Sequence, residues 1–277
     1  MRSAEGELPL RHAIALGLLQ GPTELLPISS SAHTTLMPWL ARWPYAQLDG
    51  ERRKSFEVAL HAGAGAALAI HMRAPLLADA RRMDRPKAEA IAVAIALPAI
   101  AGYALERPIE RRLGGPRSIA AGLCAGALSM ALADRRAARR GDAGRPQEDL
   151  RSGDGLAIGL AQAAALIPGV SRNGATLTAS RARGFDRRAS QALSWHAGLP
   201  VLFGASALKC VHLRERDRAR GERPALVLGA LSAFVSTLAS ARLMGRALRD
   251  GYPLLPCSLY RCVLAALVLA RLRNPGR

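Results

Sequence analysis

Eight stretches of this chain contain no Asp, Glu, Lys or Arg: 25–41, 58–72, 90–105, 118–133, 155–171, 189–208, 224–241 and 251–260. Most run 15 to 20 residues, and all draw heavily on Ala, Gly and Leu. A hydrocarbon core of about 30 Å needs roughly 17–25 helical residues to cross it. Several of these stretches therefore lie near the lower limit of a membrane span. Their small residues suit close approach of helix backbones in lipid. The mean hydropathy, +0.09, is low for a membrane protein because 39 Lys and Arg among 277 residues offset the apolar segments.

That charge is clustered. Most of the formal balance of +18 resides at 81–87, 107–117, 135–151, 181–188 and 214–223, between the apolar stretches. A soluble nucleic-acid binder would instead combine one basic face with aromatic side chains for stacking. Aromatics make up only 4% here, so no nucleic-acid partner is expected. The segmentation predicts a multi-pass membrane protein whose basic loops snorkel or contact anionic lipid. Such clusters occur in nearly every loop, so they do not set orientation by the positive-inside rule. The opening MRSAEGELPLRH carries acidic residues where a signal peptide needs a cationic region. Cys124, Cys210, Cys257 and Cys262 show no metal-ligand spacing and read as packing residues.

The chain also repeats itself. ALGLLQGPTELLPISSSAH at 15–33 parallels AIGLAQAAALIPGVSRNG at 157–174, with Gly17 matching Gly159 and Gln20 matching Gln162. After a one-residue offset, Leu26-Pro27 matches Ile167-Pro168 and Ser30 matches Ser171; LHAG at 60–63 later resembles WHAG at 195–198. Helices broken at corresponding points of two halves point to a site at the repeat interface. Irregular backbone at membrane depth survives only where protein or water satisfies it. The expectation is one all-α membrane domain with repeats over about 8–135 and 152–274. Two re-entrant hairpins, 10–39 and 155–180, would meet tip to tip. About six spanning helices would surround them, at 56–72, 89–105, 117–134, 190–210, 224–244 and 253–272.

The breaks carry the chemistry. Gln20 and Glu24 are four apart and share a helix face. Leu26 precedes Pro27 and is biased away from the α region, which ends the helix. Ser29, Ser30 and Ser31 can cap the next helix, with His33 in its first turn. The free N–H groups of a helix start bind phosphate. The second break offers Pro168, Gly169, Ser171, Asn173 and Gly174 as an anion-binding nest. There Arg172 adds a planar fork for phosphate and Thr176 another hydroxyl. The serine triplet also reads as a plain cap, His61 and His196 as packing residues, and His71 and His212 as interfacial. A carboxylate or guanidinium inside a membrane segment is functional by default. Glu24 and Arg172 fall at matching points of the repeat and have opposite charge, so a shared site is expected. A purely structural ion pair is the other reading.

QGPTELLPISSSAH and PGVSRNGAT resemble the two signatures of the undecaprenyl-diphosphate phosphatases, the bacitracin-resistance membrane family. The resemblance extends to KSFEVALHAG at 54–63, LSWHAGLP at 193–200 and the YR pair at 260–261. It implies an all-helical, polytopic fold with inverted repeats in the bacterial cytoplasmic (inner) membrane. It implies hydrolysis of undecaprenyl diphosphate to undecaprenyl phosphate, which recycles the lipid carrier of cell-wall synthesis. It also implies dependence on a divalent metal, Mg²⁺ or Ca²⁺, and a site made of Gln20, Glu24, Ser30, His33, Ser171, Arg172 and Thr176. Gln20 takes the uncharged option at its position, Asn173 stands where Ser is usual, and Ala32 where Gly is usual. Glu24 is then the main metal carboxylate, with Gln20 beside it.

The expected chemistry is phosphoryl transfer, with Arg172 and the nest neutralising the diphosphate. Ser30 activated by His33 is the first candidate nucleophile. His33 attacking directly, or activating water, is the second. A transporter or flippase of the polyprenyl phosphate carrier has the same broken-helix architecture and stays open, as does a homodimer.

Overall fold

The computed structural model describes residues 8–139, 144–213 and 223–274, without the side chains of 208–213 and 246–248. Residues 1–7, part of the 135–151 cluster, nearly all of 214–223, and the Cys210 and His212 side chains fall outside it. The described residues form eleven α-helices and two short 3₁₀ turns, with no strand.

The first hairpin is α1 (Leu10–Leu25) and α2 (Ser30–Leu40). Three long helices follow: α3 (Gly50–Arg81), α4 (Arg85–Leu113) and α5 (Pro116–Arg139). The second hairpin is α6 (Ser152–Ala164) and α7 (Arg172–Ala182). Then come α8 (Arg187–Leu213), α9 (Arg223–Leu243), the short α10 (Gly245–Asp250) and α11 (Leu255–Arg273).

The packing interlocks the two halves. Helix α1 lies against α9, and its counterpart α6 lies against α4. Helix α3 packs on α9 as α8 packs on α4, α7 touches α5 as α2 touches α11, and α3 meets α8 while α5 meets α11. Each of these pairings maps onto another of them, or onto itself, when the halves are exchanged. The hairpin helices sit so close to their partners that only glycine fits: a Cβ on Gly17 would lie 2.6 Å from Gly229 O, and one on Gly155 only 2.2 Å from Ala90 O. Close backbone approach of this kind is what holds helices together in lipid.

Six spans are expected, and among the described residues four helices are long and apolar enough to cross a membrane: α4, α5, α9 and α11. The other two, α3 and α8, are the longest and third longest helices, at 32 and 27 residues, but they are more polar. Lys54, Glu57 and His61 interrupt α3, and buried Ser190, Gln191, Ser194 and His196 interrupt α8. These two helices pack against each other at the centre and carry polar groups inward, which lowers their hydropathy. The protein is multi-pass, and its outward face shows the expected lipid-compatible side chains: Leu128, Leu132, Val227, Leu231, Val235, Val263 and Leu267 are all exposed.

Candidate active site

Both hairpins break as the sequence predicts. Helix α1 stops at Leu25, and Leu26, held extended by Pro27, adopts ψ 148°. Pro22 within α1 does not break it. The chain then re-enters helix through Ser29, at φ 74°, and Ser171, which the sequence repeat pairs with Ser30 but which holds the same N-cap position in the second break, has φ 21°. Non-glycine residues rarely adopt positive φ, and such strain concentrates at functional sites. Gly169, at φ 95°, makes the second turn as expected.

The caps differ from expectation on one side. Ser171 Oγ accepts from Gly174 N at 3.1 Å, a regular cap. The Ser29 side chain caps nothing, because its left-handed backbone turns it toward Ser31 Oγ, 3.5 Å away. The start of α2 is therefore left without a side-chain cap, whereas the Gly174 N–H proposed for phosphate is already taken. Gly174 is helical rather than part of a nest, and its missing Cβ leaves room for Arg261 Nη1.

Glu24 is the centre. It is 5% exposed. Its Oε2 accepts from Ser30 Oγ at 2.7 Å and from Gln20 Nε2 at 3.1 Å, and lies 3.6 Å from His61 Nε2. Its Oε1 meets Arg172 Nη2 at 2.5 Å, across 148 positions of chain. The other arm of Arg172 donates to Gly198 O. The two breaks thus share one site. His61, which the sequence left as a packing residue, faces that site.

Ser30 and His33 are not partnered with each other. Ser30 holds Glu24, while His33 places Nδ1 2.8 Å from Ser29 O and Nε2 2.7 Å from Tyr260 Oη. With Nδ1–H donating to the carbonyl, Nε2 is the acceptor for the Tyr260 hydroxyl. Thr176 is fully buried, and its hydroxyl lies 2.5 Å from Ser194 Oγ rather than facing an open space. Asn173 joins the hairpins: Nδ2 donates to Leu25 O at 2.9 Å while Oδ1 accepts from Ser194 at 2.8 Å.

A residue the site reading left unassigned locks the two tips. Arg261 of α11 is fully buried and donates to Pro27 O at 3.4 Å and Gly169 O at 3.0 Å, one carbonyl from each break. The available signal was a guanidinium inside an otherwise apolar helix.

A cavity of about 970 Å³ opens beside the site. Its floor includes Arg172, His61 and Pro168, with Ser31 and Thr35 from α2. At its mouth Lys54 is paired with Glu106 at 2.8 Å and with Glu110. Among the described residues no group of three or more His, Cys, Asp or Glu side chains could hold a metal. An oxygen set does exist: Gln20 Oε1 is buried without a hydrogen-bond partner among the described residues, beside the Glu24 carboxylate and the Ser30 hydroxyl. Hard cations bind this way, often with ligand phosphates completing the shell.

Residues 13–267 match the family model described as Bacitracin resistance protein BacA. An undecaprenyl-diphosphatase of Geobacter sulfurreducens is 40% identical, over 96% of this chain and 99% of its own. One from Geobacter metallireducens is 38% identical, over 95% and 98%. One from Moorella thermoacetica is 35% identical, over 94% and 96%.

Proposed function

The chain belongs to the bacitracin resistance protein BacA family, and on that premise we infer that it is an undecaprenyl-diphosphatase. It hydrolyses undecaprenyl diphosphate to undecaprenyl phosphate and inorganic phosphate. The relatives named for hydrolysis favour this over a carrier that moves the lipid without cleaving it. Its place is the bacterial cytoplasmic membrane, where the lipid substrate resides, and the cavity beside Arg172 admits the diphosphate.

The observation that carries the mechanism is the Glu24 cluster at the junction of the breaks. Ser30 Oγ attacks the terminal phosphorus while its proton passes to Glu24 Oε2, the acceptor it already faces at 2.7 Å. The bond to the bridging oxygen breaks. Undecaprenyl phosphate departs, taking the proton from Glu24, and the phosphoryl group stays on Ser30. Water then hydrolyses the phosphoserine, restoring the hydroxyl and releasing inorganic phosphate. Arg172 and the uncapped start of α2 stabilise the charge on the transferring group, which is where most of the rate acceleration in such reactions originates. His33, oriented by Ser29 O and Tyr260, positions the first turn of α2.

Glu24 and Gln20 are the residues that would hold Mg²⁺ or Ca²⁺. When bound, such an ion supplies positive charge against the phosphate oxygens. Phosphate release by purified protein tests the activity, since a pure carrier releases none. Acid quench during turnover tests the nucleophile. Acid-stable phosphate on Ser30 is the expected product, and acid-labile phosphate on His33 overturns the assignment.

A further inference from the structure

A second cavity, about 820 Å³, lies on the other side of the hairpin tips. It is the repeat-related counterpart of the first. The first is lined by the N-terminal part of α3, the end of α4 and the tip of the second hairpin. The second is lined by the later part of α3, the end of α9 with α10, and Leu25 at the tip of the first hairpin. His61 and Pro75 of α3 each line one cavity, and about 21 Å of helix separates them. The two cavities therefore face opposite ends of the molecule.

The catalytic groups are not duplicated. Where the first cavity has Glu106, Glu110 and Arg111 at its mouth, the second has Arg242 and Arg249, joined by His71, with no acidic residue lining it among the described residues. Asp79, farther along α3, is engaged by His196 Nε2 at 3.1 Å. The inner wall is apolar, built of Leu25, Leu68 and Met72. Trp195 lines the cavity, is 3% exposed, and has an indole N–H with no hydrogen-bond partner among the described residues. A cationic rim above an apolar wall, with one unsatisfied donor, fits a ligand that carries an anionic head on a hydrocarbon tail.

We propose that this second cavity is a non-catalytic binding site for a lipid with a net-anionic phosphate headgroup, seated between Trp195 and the Arg242–Arg249 rim. The proposal does not depend on the hydrolytic mechanism. Trp195 provides the probe, read as the fluorescence difference between the wild type and Trp195→Phe. In detergent micelles, acyl-brominated phosphatidic acid should quench the Trp195 component at about tenfold lower concentration than acyl-brominated phosphatidylcholine. Arg242→Gln/Arg249→Gln should abolish that preference while phosphate release, which reports folding, is retained. Both arginines are exposed, and Arg249→Gln alone, with a smaller loss of preference, serves if the double variant does not fold. Inorganic phosphate alone should not relieve the quenching. Equal quenching by the two lipids, a preference that survives the substitutions, or full relief by inorganic phosphate each overturns the proposal.

Discussion

Arg172 is the residue where geometry sharpens a sequence expectation. Its guanidinium spans Glu24 and Gly198 O at once, which a lysine ammonium cannot do from one rigid plane. Arg172→Lys should therefore lower turnover by about two orders of magnitude, at a few kcal/mol for a charge-assisted fork, with the protein still folded in detergent. Near-normal phosphate release by this variant would make Arg172 a structural cation only. Glu24 is tested in the same assay. Glu24→Gln removes the acceptor for the Ser30 proton and the one charged oxygen donor beside Gln20. It should match the wild type in excess chelator, both inactive, whereas full activity with chelator present removes metal from the reaction. The pairing of these two residues was legible because a charge in an apolar segment needs a reason. The partner of Ser30 was not. Spacing put Ser30 and His33 in one turn, but the left-handed Ser29 turns the serine toward α1 and leaves the imidazole to Tyr260.

At the scale of elements, the hairpins are held by two devices of different visibility. The first is glycine contact, which the repeat marks at Gly17 and Gly159 and which Gly155 extends. Gly155→Val would drive side-chain atoms into the backbone of α4 at Ala90, so α6 should unseat, with loss of both thermal stability and phosphate release. A variant as stable and active as the parent would show that α6 does not need this approach. The second device is Arg261, whose two carbonyl partners come from breaks 92 and 234 positions away. Arg261→Leu leaves both buried carbonyls unpaired, at about 1–3 kcal/mol each, and should lower the melting temperature together with turnover. Loss of turnover without loss of stability would instead place Arg261 in the chemistry. Helix ends and breaks were readable because proline and charge punctuate locally. The α10 turn and the Asn173 bridge were not, since each exists only through contacts with elements distant in sequence.

For the whole molecule, the deciding fact is parity. Three long helices, α3, α4 and α5, separate the two hairpins, so a hairpin that enters from one face is followed by one that enters from the other. The cavities agree with this count. Every element lining the first contributes the end that the count assigns to one face, or a hairpin tip at mid-depth, and every element lining the second contributes the opposite end or, at Leu25, again a hairpin tip. Charge could not reveal this, because basic clusters occupy the loops on both faces. Single cysteines introduced into a background free of the four native ones give a direct reading. Gln47→Cys and Gly115→Cys lie in exposed loops on the predicted face of the first cavity, and Asp84→Cys and Glu148→Cys in exposed loops on the other. A membrane-impermeant maleimide added to intact cells should label one pair and spare the other until the membrane is opened. If Gln47→Cys and Glu148→Cys label from the same side, the hairpins enter from one face. The exchange symmetry of the helix packing would then be a parallel repeat, and both cavities would have to share a single mouth.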